Sequence, residues 1–235
     1  MRIGISIATY FRQNGQTKEL LRRALESIKN QTHQDYMVFL IGDKYEYPME
    51  FFELATSIIP HDKIVYDNLD VAVEREKYHN NKQALWACGG CNARNYANTL
   101  AKNYVEYCCQ LDDDDYFLEN HLSSINSVIE NTNNPAFIHT LSNHMGTNGF
   151  PNLGVDDSII EHYPEPCNIT HSSTCFNLFK IPLQYRDVYA ETEQTYPADA
   201  DMWSRVTEYC RNNKMVSYCI KTITCVHDSE KSVLG

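Results

Sequence analysis

The sequence has no run of 18 apolar residues, so it holds no candidate for a membrane-spanning helix. It is short of positive charge, with 20 Lys and Arg against 31 Asp and Glu and a net charge of −11. General nucleic-acid binding needs clustered Lys and Arg, so that class is set aside. A disulfide framework is missing too: the nine cysteines are odd in number and scattered, and read as reduced thiols of a cytoplasmic protein. The first apolar stretch, IGISIATYF, lacks a basic flank of any weight and a cleavage site, and reads as a buried strand rather than a signal peptide. The sequons at 30–32 and 168–170 then read as accidental. Internal repeats and linkers are absent. What is present is 235 residues, 43% of them hydrophobic, enough for the core of one domain spanning 1–235.

Along the chain, short apolar runs alternate with helical periodicity. Residues 3–9, 36–43, 63–68 and 104–111 read as buried strands. Between them lie helices at 17–31, with Leu21, Ala24, Leu25 and Ile28 on one face, at 51–59, stopped by Pro60, and at 91–103, with Ala93, Ala97, Leu100 and Ala101 inward. A further helix over 118–131 turns Leu122, Ile125, Val128 and Ile129 inward. The order β-α-β-α-β-α-β predicts an α/β fold, a doubly wound, mostly parallel Rossmann-like sheet flanked by helices. The second half is less regular. Strands are expected at 136–145, 168–179 and 215–227, a polar loop at 187–198 and a helix at 199–213 with Met202, Val206, Tyr209 and Cys210 inward.

At the carboxyl end of the strand at 104–111, where open α/β sheets bind ligands, stand four consecutive aspartates, Asp112 to Asp115. If the strand persisted, Asp112 and Asp114 would point the same way, about 6.5–7 Å apart. Two such charges repel by roughly 2–3 kcal/mol at an effective dielectric near 20. A divalent cation bridging carboxylate and phosphate oxygens removes that cost. An EF-hand loop is excluded: counted from Asp112, positions 5, 6 and 12 are Tyr116, Phe117 and Ser123. Acidic dressing of a helix N-terminus is the plainer use of such residues, and Asp115 suits it, but four in a row exceed what it requires.

Several segments, in order, resemble the family 2 inverting glycosyltransferases of the GT-A type. ISIATYFR is similar to the family's opening strand and its Pro-Thr-Tyr turn, here Ala8-Thr9-Tyr10. LLRRALESIKNQTHQDYMVFLIGD resembles its first helix and second strand, although the pair of aspartates that ends that strand is here Gly42-Asp43. GGCNARNYANTLAKN resembles the Gly-rich entry and Ala-Arg-Asn helix, LDDDDY the Asp-x-Asp motif, ADADMWSRV the segment holding the catalytic base, and VHDSEKS the closing segment with its His. The resemblance implies a GT-A fold with a nucleotide-binding half (1–118) and an acceptor-binding half (119–235).

It further implies Thr9, Asp43, Arg94, Asp112 and Asp113 at the nucleotide, with Asp43 accepting from a uracil N–H. Asp114 would bind Mn²⁺ or Mg²⁺, His227 would complete the metal or diphosphate environment, and Asp199 would be the general base. The implied reaction moves a sugar from a nucleotide donor, a UDP-sugar, to an acceptor hydroxyl with inversion at C1. Asp113, pointing away from the Asp112 and Asp114 pair, should matter far less than Asp114. Two departures stand out. The Glu often found before the base is Ala198, and the Arg often found two residues before the closing His is Cys225, with Lys221 and Lys231 the cations nearest in sequence. Trp203 reads as a packing wall and Asp201 as a helix cap.

Three other readings stay open. A nucleotidyltransferase would want a Gly-rich, basic loop after the first strand, and ATYFRQNGQ holds one Gly. A nucleotide-sugar-binding protein without transferase activity would bind without turnover. CGGC at 88–91 could be a redox pair or half a zinc site through Cys88 and Cys91, but no second Cys-x-x-Cys completes it.

Overall fold

In the computed structural model, residues 1–165, 167–192 and 196–227 are described. The first half builds the expected units. Strand β1 (Ile3–Thr9) leads to helix α1 (Thr17–Lys29), β2 (Tyr36–Gly42), α2 (Pro48–Ile58) and β3 (Ile64–Asn68). Pro48 opens α2 at its first turn, where its missing N–H costs nothing. Two short helices, α3 (Val73–Lys77) and α4 (Lys82–Cys88), follow, and then α5 (Cys91–Ala101). Neither α3 nor α4 is visible in the periodicity, because each is too short to repeat an apolar face. Gly90 turns the chain from α4 into α5 with φ +83°, a left-handed conformation that favours glycine.

Strand β4 (Tyr107–Asp112) runs into the short β5 (Tyr116–Phe117), and α6 (His121–Asn131) leads to β6 (Phe137–His144), β7 (Thr147–Phe150) and β8 (Ile159–Glu161). The strand expected over 168–179 is shorter. A 3-10 turn at His171–Ser173 precedes β9 (Thr174–Asn177). The polar loop expected at 187–198 holds a short helix, α7 (Val188–Thr192); then come α8 (Ala198–Asn212) and β10 (Ser217–His227).

One sheet runs through the molecule in the order β3-β2-β1-β4-β9-β6-β10-β5, with β7 added to β6 and β8 to β10. The pairs β1 with β2, β1 with β4, β2 with β3 and β6 with β10 are parallel. The sheet is thus mostly parallel in its backbone, but β9 runs antiparallel to both β4 and β6 and joins the two parallel parts. Two apolar layers cover it. Ile3, Ile5, Ile7, Leu40 and Leu111 face Leu21, Leu25, Leu54 and Ile125 of α1, α2 and α6. Phe39, Ile41, Cys108 and Phe176 face Ala93, Ala97 and Ala101 of α5 and Met202, Trp203 and Val206 of α8. The small alanine face of α5 lets that helix lie close on β1 and β2. No helix among the described residues is long and apolar enough to cross a membrane.

Candidate active site

The strand ends decide what meets. β1, β2 and β4 are parallel neighbours, so Thr9, Asp43 and Asp112 emerge on the same edge of the sheet. Helix α4 and the Gly89-Gly90 turn close a cleft over that edge. The cavity, about 230 Å³, is lined among others by Thr9, Tyr10, Arg12, Asp43, Arg75, Trp86, Arg94, Asp112, Asp113, Asp114 and His227. Every nucleotide and metal residue expected from sequence therefore stands at one cavity. Asp199, the expected base, does not line it.

The aspartate run is a tight turn and not an extended strand. Asp115 N donates to Asp112 O at 3.1 Å, so the chain reverses at Asp113 and Asp114. This corrects the picture of Asp112 and Asp114 side by side, and each carboxylate acquires its own partners. Arg94 Nη2 donates to Asp112 Oδ1 at 2.8 Å, and His171 Nε2 lies 3.7 Å from the same oxygen. Burial would raise the Asp112 pKa, but His171 and Arg94 hold it well below the usual carboxylate range.

Asp113 is the least available of the four. It is 4% exposed. Arg12 donates to it twice, from Nη1 at 2.8 Å and Nη2 at 2.7 Å, and Thr9 Oγ1 donates at 2.7 Å. The residue expected to matter little is the carboxylate most firmly held. Asp115 does not cap α6, whose N-cap is Asn120. It is buried, accepting from Ser172 Oγ at 2.5 Å and from His227 Nδ1 at 3.0 Å. Burial opposes charge on His227, but its bond to Asp115 and the field of Asp112 and Asp114 outweigh this and lift it to about 9. Among the described residues, Asp114 receives one long contact at its carboxylate, from Arg12 Nη2 at 3.4 Å, while Arg23 Nη2 donates to its main-chain oxygen. Burial and the neighbouring Asp113, Asp115 and Asp112 push its carboxyl up to about 8.

At the other end, Asp43 is buried and Arg75 Nε donates to its Oδ2 at 2.9 Å, while Oδ1 has no partner among the described residues. Burial raises its pKa against the pull of Arg75. The glycine at 42, where the resembled family carries the first of its paired acids, has a steric reason. A Cβ there would collide with the Asn68 side chain, which accepts from Tyr45 N at 2.8 Å and donates to Tyr45 O at 3.1 Å. Tyr10 lies under two guanidinium groups, Arg75 at 3.3 Å and Arg12 at 4.3 Å from its ring centre.

The helix α8 carries Asp199 and Asp201 in its first turn with different fates. Asp201 is no cap. It is buried and held by Arg186 Nε and Nη2, at 3.0 and 2.7 Å, and by Arg205 Nε at 2.7 Å. Asp199 is partly exposed, and among the described residues it accepts from its neighbour Ala200 N, at 2.8 Å. Its charge acts on His171 and Tyr185, which flank Asp112 and Arg94. Trp203 packs among Phe137, His171, Phe176 and Tyr185, with ring centres 5.5–6.1 Å away.

Cys88 and Cys91 are buried free thiols bonded to carbonyls of Ala84 and Arg186, at 3.0 and 3.5 Å. Burial pushes the Cys88 thiol up to about 12, the opposite of a reactive pair. Lys221 pairs with Asp156 at 2.6 Å, away from the cleft, and Lys231 lies outside the described residues. The arginines that line the cleft among the described residues are Arg12, Arg75 and Arg94. Arg12, Arg75, Trp86 and His171 escaped the sequence reading. Arg12 lies just after the first strand, and its pairing with Asp113 across 101 residues has no local signal.

The chain belongs to the glycosyltransferases, and it is a transferase, as its likeness to a relative over nearly its whole length shows. It is 34% identical over 239 residues to the uncharacterized glycosyltransferase R139 of Acanthamoeba polyphaga mimivirus, an alignment covering 97% of this chain and 94% of the relative. No family model matches the chain. Its fold is similar to that of S. aureus TarS. Against TarS 1–349 in complex with UDP the TM-score is 0.68 at 12% identity, covering 97% of this chain and 60% of TarS 1–349. Against the complex with UDP-GlcNAc it is 0.65 at 12% identity, covering 97% and 58%. At that identity the likeness is one of fold, and the chain spans about 60% of the TarS 1–349 structures.

Proposed function

We propose that the enzyme transfers a sugar from a UDP-sugar to an acceptor hydroxyl with inversion at C1, in the manner of the family 2, GT-A glycosyltransferases. The observation that carries this reading is the cleft that runs from Asp43, whose buried Oδ1 has no partner among the described residues, to Asp114. Asp43 accepts from the base, Arg94 and Asp112 sit by the ribose and phosphates, and the stretch from residue 119 onward supplies the acceptor side. The UDP and UDP-GlcNAc held by TarS, a protein of like fold, support the choice of nucleotide.

A divalent cation fits this donor set in one way only. No group of three His, Cys, Asp or Glu among the described residues could hold a metal ion by itself. Mg²⁺ and Mn²⁺ sites completed by substrate phosphates, however, need only one or two carboxylates. Asp114, half-buried at the cleft and paired on its carboxylate with Arg12 only at a long 3.4 Å among the described residues, fits that role. His227 stands at the same cleft, its Nδ1 committed to Asp115. When bound there, the cation would offset charge developing on the diphosphate leaving group. Asp199 takes the acceptor's proton as its oxygen attacks C1. Arg94 holds Asp112 in place.

The test is thermal stabilisation by UDP, CDP, GDP and ADP with Mg²⁺, with Mn²⁺ and with chelator. UDP with a divalent cation is expected to raise Tm, since ligand at 100 times Kd adds about 2.7 kcal/mol. Asp114→Ala is expected to abolish the cation-dependent part. Equal stabilisation in chelator, or full cation dependence in Asp114→Ala, would overturn the assignment. The pH dependence has a definite sign. With the Asp114 carboxyl pushed up to about 8, the cation must displace a proton below that pH, so apparent cation affinity should rise with pH and level off above about 8. Calorimetric titration of UDP with Mg²⁺ at pH 6, 7 and 8.5 reads this, and a flat profile would contradict it.

A further inference from the structure

At its carboxyl end β6 has a strand on each edge. β10 pairs with it in parallel along its length, with His227 opposite His144, and β7 pairs antiparallel with Ser142, Asn143 and His144, so β7 holds the other edge. One ring from each strand meets there. Phe150 of β7 and His144 of β6 have ring centres 4.7 Å apart and planes 26° apart. His144 and His227 of β10 have ring centres 4.8 Å apart and planes 11° apart. The rings form a stack across three strands, and His227 ends it at the cleft.

A local irregularity of the backbone builds this stack. Ser142 is paired with Phe150 and Asn143 with Asn148, so Gly149 is an extra residue in β7, a bulge, and its φ of +80° suits glycine. Without the bulge Phe150 would sit opposite Leu141 and, by the two-residue alternation of a strand, face the other side of the sheet. The bulge turns it to the face of His144. The stack is also outside the core: His144 and Phe150 are half-buried and belong to neither apolar layer.

His227 is held from a second direction by Asp115, whose oxygens lie 3.0 and 3.2 Å from Nδ1. That bond commits one nitrogen, so Nε2 is the atom His227 can offer a ligand, and it fixes one edge of the ring without fixing its plane. We infer that His144, backed by Phe150, is a positioning residue for His227: its face sets the plane of the imidazole, and so the direction in which Nε2 meets the cation-bound diphosphate of the donor. The inference rests on the donor reading above.

The test is UDP affinity with Mg²⁺, read by calorimetry in wild type, His144→Leu, His144→Phe, His227→Ala and the double variant His144→Leu with His227→Ala. His144→Leu should weaken Kd about 2- to 10-fold, the factor an aromatic pair is worth, and His144→Phe, which keeps a stacking face without a nitrogen, should recover most of it. His227→Ala should weaken Kd at least as much. Adding His144→Leu to it should change nothing further, because His144 acts through His227, whereas a merely structural role would give the same loss with and without His227. Wild-type Kd in His144→Leu or in His227→Ala overturns the inference while leaving the donor reading intact. So do additive losses in the double variant, or a loss in His144→Phe equal to that in His144→Leu. If His144→Leu does not fold, Phe150→Leu carries the same cycle with His227→Ala, one ring further from the cleft. If UDP fails to bind the wild type with either Mg²⁺ or Mn²⁺, the donor reading falls and this inference with it.

Discussion

Asp113→Ala is expected to lower the melting temperature by about 6–20 °C, the largest stability effect of any single substitution at the cleft. Removing one partner of a buried ion pair costs roughly 3–5 kcal/mol, because the other charge is left buried and unpaired. Each kcal/mol is worth about 2–4 °C in a chain of this size. Asp113 meets the conditions fully. Both side chains of the pair are 5% exposed, the contact is bidentate, and Thr9 adds a third bond. Stranded by the substitution, Arg12 would also lose its position beside Asp114 and over Tyr10, so activity should fall with stability. The joint replacement Arg12→Met with Asp113→Leu should recover much of the lost Tm, because it removes both charges. A drop of less than about 2 °C in Asp113→Ala, read by calorimetry, would show that the pair is not the clamp its geometry describes.

Asp199→Ala is expected to do the reverse: little change in stability and a fall in kcat of about 10²–10⁴-fold, the usual contribution of a general base. Its carboxylate is partly exposed and, among the described residues, bonded to the next backbone N–H alone, so its loss should cost the fold little. UDP binding should persist, since Asp199 does not line the nucleotide cleft. Transfer rates over a range of donor concentrations separate kcat from KM, and the anomeric configuration of the product, read by NMR, reports inversion. A kcat within five-fold of wild type would remove Asp199 from the role of base. Asp201 is the internal contrast. Two residues on, it is buried between Arg186 and Arg205, and its loss should appear in Tm.

The first half of the fold was legible because its signals are local. An alternating set of isoleucines makes β1 a buried strand, a 3.6-residue apolar stripe makes α1 and α6 amphipathic, and alanines every third or fourth residue make α5 a close-packing helix. Parallel strands joined by helices bring their carboxyl ends to one edge, so Thr9, Asp43 and Asp112 could be placed together from sequence order alone. The antiparallel β9 was not legible. Its direction depends on which neighbours it pairs with, and a short buried strand carries no mark of that.

Charge pairing was decided by tertiary structure for the same reason. Four identical aspartates are indistinguishable in sequence, and only the tight turn, with Arg12, Arg94, His171 and His227 brought in from distant segments, gives each a separate environment. The sequence by itself determined that these acids stand at the ligand edge of an α/β sheet. Which one is clamped, which supports the histidine and which is left for a cation depended on contacts 18 to 112 residues apart, which no local pattern encodes.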